Sequence, residues 1–255
     1  GADPLIPWTS MHATCFQPGT GVIVSAVGST WDKQLVRSGD AGQTWVIVDD
    51  RPAHNLFASF HPDDPSLVFA DDKVSRDGGL SFSVIEALAE HDASILGMCR
   101  ADPDTLYALA DPRDRILRSD DRGQGWRVYV QTDWRYNRHD SKPTFAVDPA
   151  DCDVIYTIDA DGDLARYDGQ GWTSLGVLAL AGAADPANFV RAVAVDPADP
   201  LILYAGMHAP GISNVWRSRD GGASWTDISY NYPRVTVGGM NVNPHTGELM
   251  IGSCF

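Results

Sequence analysis

The chain has 255 residues, with 19 basic and 34 acidic side chains and a formal charge of −15. That balance excludes a nucleic-acid binder, which needs Lys and Arg to neutralise rows of phosphates, and argues against an anionic membrane surface. No run reaches the roughly 18 apolar residues of a membrane span, and the length suits a single all-β domain with an ample core, expected to be monomeric.

In chain order, two signals alternate. The first is a proline turn followed by an apolar, β-rich run. Gln17-Pro18 precedes Val22-Ile23-Val24, and His61-Pro62 precedes Leu67-Val68-Phe69. Asp102-Pro103 precedes Leu106-Tyr107-Ala108, and Asp148-Pro149 precedes Val154-Ile155-Tyr156. Asp196-Pro197 precedes Ile202-Leu203-Tyr204, and Asn243-Pro244 precedes Leu249-Met250-Ile251. Proline starts each turn with its fixed φ, and the Val, Ile and Tyr runs predict strands.

The second signal reads S-x-D-x-G-x-T-W. It occurs as Ser38-Gly39-Asp40-Ala41-Gly42-Gln43-Thr44-Trp45, and its spacing returns over 75–82, with Phe82 in place of Trp, and over 119–126 and 218–225. A shortened copy, Asp168-Gly169-Gln170-Gly171-Trp172, lacks the Ser and one residue between Asp and Trp. The spacing predicts a hairpin turn in which the acid accepts backbone N–H bonds, glycine supplies a positive φ, and the aromatic opens the next strand. Six proline turns and five acidic turns together imply repeated four-stranded units, the pattern of a propeller. Short helical turns are expected over Val84–His91 and Leu178–Asn188.

This motif resembles the Asp box, the bacterial neuraminidase repeat of sialidases, xyloglucanases, sortilin-type receptors and a photosystem II assembly factor. The resemblance spans residues 12 to 255 and implies an all-β propeller of four-stranded antiparallel blades, with six blades favoured. Ring closure is expected from Leu5–Thr9 pairing into the unit begun by residues 235–254. The box is a fold device and leaves function open. A sialidase would need a Phe/Tyr-Arg-Ile-Pro segment, which is absent, and glutamates, of which the chain has only Glu86, Glu90 and Glu248.

An up-and-down meander sorts the loops onto two ends. Proline turns and acidic turns share one end; the remaining loops share the other, where propeller ligands usually sit. That second end receives Trp31, Asp71–Lys73, Arg113, Asp159–Asp163 and His208 from loops inside the units. Connections between units bring His54, His91, Asp92, Trp134, Arg135, Tyr136, Arg138, His139, Asp140, Tyr230, Tyr232 and Arg234.

Aromatic faces and planar hydrogen bonders suit a glycan or other small polar ligand. The candidate ligand-binding residues are Trp31, His54, Arg113, Trp134, Arg135, Tyr136, Arg138, His139, His208, Tyr230, Tyr232 and Arg234. Glycoside hydrolysis needs two carboxyl groups across the scissile bond, for which Asp140 and Asp92 are the candidates. A non-catalytic protein-binding scaffold or assembly factor is the alternative.

Asp159-Ala160-Asp161-Gly162-Asp163 resembles the start of a calcium loop, but Leu164 stands where that loop has Gly and Gln170 where it has Glu, so a hairpin turn is expected. Histidines from four connections (His54, His91, His139 and His208) could converge on a metal, but scattered loop histidines are the simpler reading; no metal site or cofactor is assigned. Cys15, Cys99, Cys152 and Cys254 lack metal-ligand spacing and are expected as buried reduced thiols. An extracellular or periplasmic location is expected, although no signal peptide is visible.

Overall fold

The computed structural model describes residues 10–28, 33–51, 57–111, 114–132, 144–182, 188–209 and 211–253. They fall into two compact units, residues 1–96 with 103–131, and residues 97–102 with 132–255.

Every sheet is an antiparallel meander. β1 (Ser10–Phe16), β2 (Ile23–Gly28), β3 (Lys33–Ser38) and β4 (Val46–Asp49) pair in that order. So do β5 (Ala58–His61), β6 (Asp64–Ala70), β7 (Lys73–Ser75) and β8 (Ser83–Val84). After a helical turn, α1 (Glu86–Ala89), the third sheet holds β9 (Ala93–Met98), β10 (Leu106–Ala110), β11 (Arg115–Ser119) and β12 (Arg127–Gln131). The fourth contains β13 (Ala146–Val147), β14 (Ile155–Ile158), β15 (Leu164–Tyr167) and β16 (Trp172–Ser174). A second helical turn, α2 (Val177–Leu180), leads to β17 (Phe189–Val195), β18 (Leu203–His208), β19 (Val215–Ser218) and β20 (Thr226–Asp227). β21 (Val237–Val242) pairs with β22 (Leu249–Ser253) alone. The described residues thus form five four-stranded sheets and one two-stranded sheet, matching the six proline turns and five acidic turns. The pairing expected of Leu5–Thr9 lies outside the described residues.

In four of the five four-stranded sheets the second strand is the most buried; in the second sheet it is β7, all three of whose residues are buried. All five residues of β10 are buried. In the second unit Tyr156, Leu164, Val193, Leu203, Met207 and Trp216 join one apolar cluster, each large side chain contributing about 1.5–3 kcal/mol. In the first unit Cys15, Val24, Phe60 and Val68 do the same. β18 approaches β21 so closely that a Cβ on Gly206 would lie 2.4 Å from Val237 Cγ1; only glycine fits there.

The acidic turns repeat one hydrogen-bond pattern. Ser38 Oγ donates to Asp40 Oδ1 at 2.8 Å and accepts the Gly42 N–H at 2.8 Å. Asp40 then accepts the Thr44 N–H at 2.9 Å and the Thr44 hydroxyl at 2.6 Å. Ser75 with Asp77 and Ser218 with Asp220 reproduce all four bonds, using Ser81 and Ser224. In the third turn Gly125 offers Asp121 its N–H at 2.8 Å but has no hydroxyl. Each turn therefore satisfies its own backbone donors, which lets one sequence motif work in several sheets.

Two of the cysteines depart from the expected reduced state. Cys99 and Cys152 form a disulfide with their Cα atoms 5.6 Å apart. They are 53 residues apart in sequence, one just after β9 and the other in the turn between β13 and β14. Only the meander brings these two segments together. Cys15 remains a free buried thiol, pushed up to about 12 by that burial. Cys254 lies outside the described residues.

Candidate functional site

The loop end of each unit gathers polar chemistry. In the first unit, the β6–β7 hairpin turns at Asp71, whose φ of 61° is unusual for a residue with a side chain. Its N–H donates to Phe57 O at 3.0 Å and its carbonyl accepts the Ile95 N–H at 3.1 Å, so the strained residue is held from both sides. Asp71 and Lys73 are each only 1% exposed. Lys73 Nζ donates to Arg51 O at 3.0 Å and lies 3.9 Å from Asp49 Oδ2. Arg51 makes a two-pronged ion pair with Asp49 and donates to Phe82 O at 2.9 Å. Burial pushes the Asp49 carboxyl up, but the Arg51 hydrogen bonds and the Lys73 charge outweigh it and hold Asp49 below the usual range. Buried charges cost several kcal/mol unless paired, and this cluster meets that cost with a network.

In the second unit, β18 ends at His208, opposite Phe189 at the start of β17. The two rings stack with centroids 5.0 Å apart. His208 Nδ1 shares a 2.8 Å hydrogen bond with Thr236 Oγ1. Burial, and then the nearby Arg191 charge, lower the pKa of His208, so the imidazole is neutral at neutral pH. Buried Asn214 donates to Val235 O at 2.6 Å, and Arg234 Nη1 donates to Gly211 O at 2.8 Å. These bonds tie the loop after β18 to the segment before β21. That segment projects Tyr230, 89% exposed and with φ 40°, while Tyr232 packs against the buried cluster of Ala192, Val215 and Val237.

Among the described candidates, His208, Tyr230, Tyr232 and Arg234 therefore share one braced pair of loops. Asp92 lies elsewhere. Its φ is 45° and its N–H donates to Ala89 O at 3.2 Å, so its backbone closes the turn after α1. Trp31, His54, Arg113, Trp134, Arg135, Tyr136, Arg138, His139 and Asp140 lie outside the described residues. Sequence reasoning placed Asp71–Lys73 at this end without selecting them. Lys73 opens a short strand whose three residues are all buried, which nothing in the local sequence marks.

Asp159–Asp163 is a hairpin turn, as expected. Asp159 N–H donates to Asp163 O at 2.9 Å, and Asp159 Oδ1 accepts the Asp161 and Asp163 N–H groups at 3.0 Å each. Asp163 accepts the Leu164 N–H at 2.7 Å and the Leu178 N–H at 3.2 Å, anchoring α2. Among the described residues no three potential metal-ligating side chains cluster, and no helix is long and apolar enough to cross a membrane.

A groove of about 560 Å³ opens at the other end of the second unit. Asp148, Tyr156 and Arg166 line it with Pro200 and Leu201, and Leu201 is 56% exposed. Burial, followed by the Asp148 charge, pushes the Tyr156 hydroxyl up to about 12, so it remains a neutral hydrogen bonder.

No protein-family pattern and no curated protein matches the chain. Solved structures do. An ancestral GH74 enzyme superposes with a TM-score of 0.71 at 16% identity, over 95% of this chain and 35% of the other. The Niastella koreensis GH74 enzyme gives 0.67 at 13%, over 95% and 44%. The β-propeller domain of Myceliophteria thermophila Cps50 (Swd1) gives 0.59 at 12%, over 96% and 79%. The chain thus spans less than half the length of either GH74 enzyme. At these identities the likeness concerns fold: the protein has an all-β fold of the β-propeller kind.

Proposed function

We propose that the chain is an Asp-box propeller that binds or processes carbohydrate outside the cytoplasm, through the loop end of its sheets. The observation that carries this reading is the Tyr230–Arg234 segment braced against the His208 loop. It offers an exposed aromatic ring and planar donors on a fixed backbone, which is how polar ligands are oriented. Fold likeness to GH74 enzymes, of the glycoside hydrolase class, supports the same ligand class. The Cys99–Cys152 disulfide supports an oxidising compartment.

If the site turns over a glycoside, it needs an acid and a second carboxylate separated by roughly 5 to 9.5 Å. Asp140 is proposed for one of these roles. A glycan array and a glycosidase-substrate screen, run with the Tyr230→Ala and Asp140→Ala variants, test the reading. Binding lost in Tyr230→Ala supports recognition at this end, and turnover lost in Asp140→Ala supports a hydrolase. No response in either screen overturns the carbohydrate reading. It would favour the second one, a protein-binding scaffold, which the groove with exposed Leu201 at the opposite end supports.

A further inference from the structure

One arginine position recurs just before the acidic turns, and its side chain takes two different paths. Arg37 lies opposite Val24 on β3, three residues before Asp40. The hydroxyls of Ser38 and Thr44 occupy Asp40. Arg37 reaches over to the next acidic turn, where its Nε donates to Gly78 O at 3.0 Å. Arg166 holds the matching place on β15, opposite Tyr156. Its turn is the shortened one, which puts Asp168 only two residues further on. Asp168 takes the Gln170 and Gly171 N–H groups of its own turn, at 3.1 Å each, and Arg166 Nη1 pairs with its Oδ2 at 3.2 Å. The short turn thus keeps its arginine at home.

The carbonyl matching Gly78 O is that of Gly221. Asp220-Gly221-Gly222 repeats Asp77-Gly78-Gly79 in sequence and in hydrogen bonding. Gly221 N–H donates to Leu201 O at 2.9 Å, as Gly78 N–H donates to Ser66 O at 2.8 Å. Among the described residues no donor reaches Gly221 O. Where an arginine crosses in the first unit, the second has the groove of about 560 Å³, within the roughly 300–1,000 Å³ of ligand pockets. Asp148, Arg166 and Gly221 line it beside Leu175 and Leu201. Leu175 packs so close to the turn that a Cβ on Gly222 would lie 2.8 Å from it.

We propose that this groove binds an arginine side chain presented by a partner peptide, which takes the part that Arg37 plays in the first unit. The guanidinium donates to Gly221 O and to the Asp148 carboxylate, and the aliphatic stem lies along Leu175 and the exposed Leu201. Its planar fork serves two acceptors at once, which the point charge of a lysine does less well. Charge favours the same occupant. Asp168 neutralises Arg166, Asp148 supplies the remaining charge of the groove, and the chain as a whole is strongly acidic. The site lies at the turn end and is independent of the carbohydrate reading at the loop end.

The test is a heteronuclear NMR titration with a capped Ala-Leu-Arg-Leu-Ala peptide and its counterparts with Lys or Ala at the centre, at physiological salt. The expected result is saturable shifts of the Gly221 and Gly222 amides with the Arg peptide, and affinity about tenfold or more weaker for the other two. Asp148→Asn keeps the Oδ1 that accepts the Ala150 and Asp151 N–H groups, so the turn is retained while the charge is lost. It should weaken the Arg peptide about tenfold as well. Equal binding of the Arg and Lys peptides, unchanged affinity in Asp148→Asn, or shifts confined to other residues overturns the proposal. So does the absence of any shift up to about 10 mM of the Arg peptide. None of these results bears on the glycan screens, so the two readings fail separately.

Discussion

Asp220 and Asp163 belong to adjacent sheets of the second unit but lie at opposite ends of them, and their carboxyls are driven in opposite directions. Asp220 is exposed in an acidic turn. The Ser224 hydroxyl first, then the Ser224 N–H and the Ser218 hydroxyl, bring it down to about 2. Asp163 is 8% exposed at the loop end, and burial raises its carboxyl despite the N–H groups aimed at it. The contrast shows two uses of one residue. At the turn end, acids complete local backbone bonding in water. At the loop end, acids are taken out of water and need partners from other elements.

The largest expected effect is at the loop end of the first unit. Lys73→Ala should cost about 3–5 kcal/mol, because it removes one partner of buried Asp49. Urea unfolding measures this, and a loss below about 1 kcal/mol would mean that Arg51 alone suffices.

The acid limb of stability sharpens the comparison. Asp40, Asp77 and Asp220 all sit at about 2 in the folded chain, below the unfolded value of roughly 3.9. Their contribution is therefore fully present above the unfolded value and is lost as pH falls towards about 2. Asp163 has the opposite sign: its raised carboxyl costs stability at neutral pH, and that cost is relieved as pH falls through its folded value. Melting temperature followed from pH 6 to pH 2 should fall steeply towards the acid end. Thr44→Val should move part of that fall to higher pH, and an identical profile in the variant would break the assignment of the turn acids.

The smallest effect is a gain. Gly125→Ser supplies the hydroxyl that the third turn lacks, where a Cβ would sit 3.0 Å from Asp121 Oδ2. A stabilisation of about 0.5 kcal/mol is expected from one exposed hydrogen bond and a less flexible unfolded chain. Thermal melting would read it, and a loss of stability would mean that the tight Cβ contact outweighs the bond.

The sequence alone determined the strand order, the six proline turns, the acidic turns and the end of the sheets to which each loop belongs. These depend on local rules: proline's fixed φ, glycine's positive φ, an acid's reach to its own backbone, and the alternation of a meander. It also placed His208, Tyr230, Tyr232 and Arg234 at one end. Only the tertiary structure decided that Cys99 meets Cys152, that Lys73 is buried beside Asp49, and that Thr236 and Asn214 brace the His208 loop. Such contacts join segments far apart in the chain, and their partners carry no mark in the local pattern.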